Sequence, residues 1–415
     1  MGWFRAGPPE ARRALLAAWL GWALDGMDVM LYAMVLAHLM RELGMSAQTG
    51  GLLASLTLAS SAVGGAVVGV LADRLGRTWA MRVSILVYSL FTAACGLART
   101  VPQLAVFRVF LGLGMGGEWA TGAALVAETW PSEHRGKALG VMQSAWAVGY
   151  AAAAAVTALV LPRLGWRAVF FVGVLPALVT FWIRRHVQEP EVWRSSRRQG
   201  KGMGEVGRLF RPPWRRWVAI TSTVSAATMF AWWGLFTWIP SYLGLPVSAG
   251  GAGLSIVGTS TWVVLMQVGM WLGYLTFGAL ADRLGRKRAY VGYLLVAAAL
   301  VGVYGSVRDA TALLLLGPLV AFFGTGYFVG FGTITAELFP TSLRATAQGF
   351  TYNVGRGISA IAPLAVGSLA LRIGLGSAFK LVTASFLLAA VVALWLPETR
   401  GRRLDDGPGT VAEGG

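Results

Sequence analysis

Apolar residues run through this chain in stretches of about twenty, separated by short polar breaks, from one end to the other. As a helix, such a stretch rises ~30 Å, the thickness of a bilayer's hydrocarbon core. The pattern predicts twelve spans. They fall near 14–40, 50–72, 81–98, 104–128, 138–162 and 167–184, then near 217–243, 257–281, 289–307, 312–336, 348–372 and 380–396. The expected class is an all-α membrane protein. Residues 1–184 form an N-terminal six-helix unit, 185–216 a cytoplasmic connection, 217–396 a C-terminal six-helix unit and 397–415 a cytoplasmic tail.

Composition sharpens this. The chain is 56% hydrophobic and 13% charged, where soluble domains carry about 25% charge. The net charge of +17 would suit a nucleic-acid partner, but its distribution says otherwise. With the N-terminus inside, about 26 of the 35 Lys/Arg fall on the cytoplasmic side and about 7 outside. Ten of them lie between Arg184 and Arg216. The basic charge therefore sets topology, with both termini cytoplasmic in an inner cell membrane, and no nucleic acid is expected. The tail Leu404–Gly415 reads as disordered.

Several chemistries drop out. Cys95 is the only cysteine, and His38, His134 and His186 are scattered, so neither a disulfide framework nor a metal site is expected. Gly112, Gly114 and Gly117 spell G-x-G-x-x-G without a preceding strand, which removes the dinucleotide reading. No nucleophile–base pair stands inside a span, so no enzyme is expected. A sensor would carry a large cytoplasmic domain, and the longest loop has about 30 residues.

The chain is also duplicated. Gly69-Val-Leu-Ala-Asp73-Arg-Leu-Gly-Arg77 returns 209 residues later as Gly278-Ala-Leu-Ala-Asp282-Arg-Leu-Gly-Arg286. At the same offset Glu128 becomes Glu337, Arg135 becomes Arg344, and Glu189 becomes Glu398. A shared offset across separate loops is the mark of an internal structural repeat. These doubled motifs, after spans two and eight and after spans four and ten, resemble the major facilitator superfamily over nearly the whole chain. The resemblance implies two pseudo-symmetric six-helix bundles around a central cavity that opens alternately to each side. It also implies that Asp73, Arg77, Glu128 and Arg135, with Asp282, Arg286, Glu337 and Arg344, form cytoplasmic gating networks.

Five ionisable residues inside spans break the repeat. Asp25, Asp28, Arg108, Glu118 and Arg356 are matched by Gly234, Thr237, Gly317, Tyr327 and Ala147. A charge at the bilayer centre costs at least ~2.5–3.5 kcal/mol, so each needs a partner or a wet cavity. Asp25 and Asp28 share a helix face, and two close carboxylates in low dielectric cannot both ionise cheaply, which suits proton exchange. Glu118 lies ~15 Å along its helix from Arg108, near the midplane. Arg356 has Tyr352 and Asn353 at i−4 and i−3, and its guanidinium fork matches a carboxylate. Gln143, Trp146 and Tyr150 fall at i, i+3 and i+7 and are expected on the opposite wall, with Trp119, Phe230, Trp232 and Trp233 adding aromatic area.

Asp25-Gly-Met-Asp28, Gly116-Gly-Glu118-Trp119, Gln143-Ser-Ala-Trp146 and Tyr352-Asn-Val-Gly-Arg356 are similar to the proton-coupled organic-acid symporters of that superfamily, the sialate, aromatic-acid and metabolite branches. The resemblance implies uptake of a small organic anion with protons, driven by the proton gradient without a cofactor, by a monomer in the lipid bilayer. On this reading a proton is held between Asp25/Asp28 and Arg108, or on Glu118, and the carboxylate docks on Arg356. A proton-linked sugar porter is the alternative reading, since Arg108 before Gly112 and Pro397-Glu-Thr-Arg are similar to that branch and would pair Asp28 with Arg108. Span seven lacks the amides of sugar binding. An efflux antiporter of the same fold is a further alternative, because residues fix coupling chemistry better than direction.

Overall fold

The duplication reappears in the helix boundaries. The computed structural model describes Phe4 and residues 7–189 and 206–400, which excludes most of the central connection and the tail from 401 on. The side chains of some residues within it, Asp73 and Arg135 among them, lie outside the description. Every regular element among the described residues is helical. The first half comprises α1 (Pro9–Glu42), α2 (Ala47–Leu75), α3 (Arg77–Cys95), α4 (Val101–Thr129), α5 (Ser132–Val172) and α6 (Pro176–His186). A short α7 (Val206–Leu209) leads to α8 (Trp214–Phe236), α9 (Ile239–Gly244), α10 (Ile256–Leu284), α11 (Arg286–Tyr304), α12 (Ala310–Leu338), α13 (Thr341–Ser359), α14 (Ala362–Ile373) and α15 (Leu375–Ala393).

α2, α3 and α4 have 29, 19 and 29 residues, and so do α10, α11 and α12, each starting 209 residues later. Their starts are fixed by equivalent caps. Ser46 and Ser255 accept from the amides of Thr49 and Gly258, while Thr100 and Asp309 accept from those of Gln103 and Ala312. Gly76 (φ 119°) and Gly285 (φ 99°) let α2 turn into α3, and α10 into α11, with no intervening loop.

Among the described residues eleven stretches are long and apolar enough to cross a membrane, and Lys137–Thr180 counts as one of 44 residues. Gly165 (φ 76°) breaks it into the expected fifth and sixth spans, giving twelve crossings. α1 is the most enclosed of the spans, whereas most others bury about half of their apolar window. Their remaining faces expose large apolar side chains such as Leu90, Leu164, Leu315 and Trp395, a surface suited to lipid.

At one end, each half carries the expected charged network. Arg77 bonds Glu128 (Nη2–Oε1 3.2 Å), and Arg286 bonds Glu337 (Nε–Oε1 3.4 Å) and Asp282 (Nη1–Oδ1 2.5 Å). Glu189 accepts the amides of Arg77, Thr78 and Trp79, capping α3, and Glu398 accepts those of Arg286 and Lys287, capping α11. Arg344 Nε donates to the Ala336 carbonyl (2.6 Å). At the opposite end the halves close on each other. Gly51 packs so tightly on Pro363 that a Cβ would come 2.3 Å from its carbonyl oxygen, Leu364 N–H donates to Ser55 Oγ (3.2 Å), and Tyr150 donates to the Phe236 carbonyl (2.9 Å).

Candidate functional site

Between the halves, α1, α5, α8, α10, α12 and α13 line a chamber. Arg356, Tyr352, Gln143 and Trp146, all expected there from sequence, line it. With them are Trp22, Trp232, Trp233, Tyr274, Phe328 and Met229.

Arg356 is 3% exposed, and no ion pair or side-chain hydrogen bond joins its guanidinium to another described residue. Pairing with Glu118, the obvious internal neutralisation, is not formed. A buried cation without an ion-pair partner costs several kcal/mol in desolvation, a cost that an anion held beside it would offset.

Around it stand indoles at successive angles. Trp146 meets Trp22, Trp232 and Trp233 with centroids at 4.7, 5.6 and 5.9 Å, and Trp232 meets Trp233 at 4.7 Å. The indole N–H groups of Trp22, Trp146 and Trp232 are buried without acceptors. Such a wall offers flat π-faces and spare donors together, which is what a planar acid needs.

Two expected contacts lie elsewhere. Asn353 is 100° around α13 from Tyr352, on the far side of Arg356; its amide donates to the Gly349 carbonyl (2.9 Å), and its Oδ1 lies against Gly65 of α2. Trp119 stacks on Tyr352 (3.9 Å, 8°) and donates to Gln143 Oε1 (3.2 Å). It holds chamber residues from behind. This stack also joins α4 to α13 across the two halves.

The off-repeat acids gather beside the chamber. Asp25, Asp28 and Glu118 are at most 1% exposed, and all six of their carboxylate oxygens lack hydrogen-bond partners. Asp25 couples electrostatically to Arg356, to Asp28 and to Glu118, and all three acids act on Tyr88. They form one cluster. Three ionised carboxylates in so small and buried a space would repel one another at a large cost.

Arg108 stands apart from that cluster. Its Nε donates to the Leu53 carbonyl (3.1 Å), and its guanidinium lies 3.6 Å from the Tyr32 ring centroid. No ion pair among the described residues joins it to Asp25 or Asp28. The pairing of Arg108 with Asp25 or Asp28, expected for proton coupling and on the sugar-porter analogy alike, is therefore not formed in this conformation.

Sequence reasoning missed Trp22, Tyr274, Phe328 and Met229, and treated Trp232 and Trp233 only as general aromatic area. The one available signal was that Trp22 lies three residues before Asp25, on the same face of α1.

Comparison with known proteins agrees with this architecture. The Major Facilitator Superfamily model matches residues 18–261 and 245–412. A Cupriavidus pinatubonensis protein named "Probable 4-methylmuconolactone transporter" is 35% identical, over 97% of this chain and 94% of its own. The cis,cis-muconate transport protein of Acinetobacter baylyi is 32% identical, over 95% and 96% respectively. The inward-open xylose transporter XylE of Escherichia coli superposes with a TM-score of 0.74 at 19% identity, over 94% of this chain and 97% of that one, a likeness of fold. With its duplicated helices, paired end networks and enclosed central chamber, the chain belongs to the Major Facilitator Superfamily and is a transporter of that family.

Proposed function

We propose that this transporter takes up a small, flat organic carboxylate together with one or more protons, by alternating access. The observation that carries the reading is Arg356, a buried guanidinium without an anionic partner, facing an indole-lined chamber. The carboxylate docks on Arg356 in a forked hydrogen-bonded pair, and its π-system lies among Trp22, Trp146 and Trp232. Protons reside on Asp25, Asp28 and Glu118.

Coupling follows from charge. With Arg356 occupied and the acids protonated, the chamber is neutral and the halves rock about it. With either missing, a net charge is left in low dielectric and the transition is slow. The networks of Arg77–Glu128 and Arg286–Glu337, with Asp73, Arg135, Asp282 and Arg344 beside them in sequence, act as gates at the cytoplasmic end. The Lys/Arg asymmetry supports cytoplasmic termini in an inner membrane. Each chain encloses a whole chamber, so a monomer suffices, and the proton gradient replaces any cofactor.

The names of the relatives support an unsaturated organic acid as cargo. A sugar site would need several free amides, and here the lining amide Gln143 is engaged by Trp119. Calorimetry of the purified protein with cis,cis-muconate, benzoate, sialic acid and xylose tests the reading. At least one acid should bind, and Arg356→Gln should weaken it by about 10- to 100-fold, the value of charge-assisted hydrogen bonds. Binding of xylose alone, or unchanged acid affinity in Arg356→Gln, overturns it.

A further inference from the structure

The acid cluster has a neighbour on α3, a helix that contributes nothing to the chamber lining. Ser84, Tyr88 and Thr92 stand four residues apart on one face of α3, and all three are buried. Tyr88 Oη donates to the Gly21 carbonyl at 3.5 Å, and Gly21 is the residue against which the Glu118 carboxyl group rests. Phenol and carboxyl group thus meet at one turn of α1. From α4, Gly114 approaches so closely that a Cβ there would fall 2.7 Å from the Tyr88 amide nitrogen. The titratable groups acting on Tyr88 are Glu118, Asp25 and Asp28, and Arg356 acts in turn on Asp25. Thr92 donates to the Tyr88 carbonyl (2.8 Å) and neighbours Asp28. In the second half the equivalents of Tyr88 and Thr92 are Ala297 and Val301, so the repeat itself calls for neither hydroxyl. These hydroxyls depart from the repeat together with the acids beside them.

We propose that Tyr88 is the proton relay between Glu118 and the two aspartates. A phenol both donates and accepts. Its bond to the Gly21 carbonyl is long and therefore weak, so the hydroxyl exchanges it readily for a carboxyl oxygen. In the transfer the Glu118 O–H bond breaks and its proton passes to Tyr88 Oη, while the Tyr88 O–H proton passes to an aspartate carboxylate. Glu118 is left as the carboxylate, the aspartate becomes the neutral acid, and Tyr88 is regenerated. The negative charge moves the opposite way, from the aspartates to Glu118. Arg356 then faces a neutral Asp25 and is free to take the carboxylate of the cargo. The proposal rests on the reading that protons reside on these three acids.

Infrared difference spectra of the purified protein across a pH jump test it and need no cargo. A protonated carboxyl group has its own C=O stretch, and the band missing from Glu118→Gln belongs to Glu118. Tyr88→Phe keeps the ring and removes the relay. The Glu118 band should then respond to the jump about 100-fold more slowly, the lower end of what a positioned proton-transfer group contributes. An unchanged rate overturns the relay. Thr92→Val removes a hydroxyl from the same face and should leave the Glu118 rate as it is in the unaltered protein. Equal slowing in both variants overturns the proposal, because it marks a general loosening of α3. 3-Fluorotyrosine at position 88 keeps the hydroxyl but releases its proton more easily, which guards against a misfolded Tyr88→Phe. It should change the rate, and an unaltered rate again overturns the relay. Failure of the underlying reading has a different signature: no protonated-carboxyl band disappears in Glu118→Gln, and the proposal falls with it.

Discussion

Glu118 lies directly against Gly21. A Cβ built on that glycine would fall 1.9 Å from Oε1 of the carboxyl group, inside any permitted contact. α1 thus presents bare backbone to the one acid that α4 contributes to the cluster, one helical turn from Asp25. The packing places a carboxyl group among carboxyl groups, and on the proposed reading protonation relieves the repulsion.

Gly21→Ala is therefore expected to displace Glu118, because the contact is the far end of a flexible side chain. Proton-driven uptake should fall about tenfold or more, while thermal stability drops only slightly, by about 1 kcal/mol. Gly149→Ala is the contrast, since its Cβ would meet the Ala23 carbonyl oxygen at 1.8 Å, and backbone cannot move aside. It should reduce folded yield. Thermal unfolding and uptake measured on both variants separate the two effects, and equal stability losses would refute the assignment.

Asp28→Asn replaces a buried, unpartnered carboxyl group by a neutral isostere. Uphill uptake driven by a pH gradient should be lost, while exchange of labelled for unlabelled cargo in proteoliposomes continues. Undiminished accumulation would exclude Asp28 from coupling.

Trp146 is the hub of the indole cluster, touching Trp22, Trp232 and Trp233. Aromatic pairs contribute about 0.5–1.5 kcal/mol beyond area, so Trp146→Leu should weaken an aromatic acid by roughly 3- to 10-fold. A saturated acid of similar length should be affected less. A uniform loss across both would mean that Trp146 shapes the chamber without reading its contents.

Glu398 caps α11 through the amides of Arg286 and Lys287, as Glu189 caps α3. Removing a cap costs about 0.5–2 kcal/mol, enough to shift an equilibrium between two nearly equal states. Glu398→Ala should raise alkylation of a cysteine placed at Tyr352 from the network end of the chamber. Identical alkylation rates would show that the cap serves stability alone.

Trp119 and Tyr352 show how far sequence could go. Their membership of one neighbourhood was legible, because both sit beside charges that break the repeat. Their relation to each other was not. One belongs to the first half and one to the second, and no periodicity links the two, so their stacking emerges only once the halves dock.

The linear pattern by itself determined twelve apolar spans, a 209-residue duplication with its paired charged motifs, and the short set of charges that violate the repeat. Each of these is local or periodic, set by the length of a bilayer-crossing helix or by direct comparison of two copies. Only the tertiary structure decided which indoles surround Arg356, that Asn353 turns away, that Arg108 stands clear of the acids, and that Glu118 rests on Gly21. Those are contacts between helices far apart in the chain. In lipid such contacts depend on close packing of small residues and on the angle at which each helix faces its neighbours, and a single sequence carries neither.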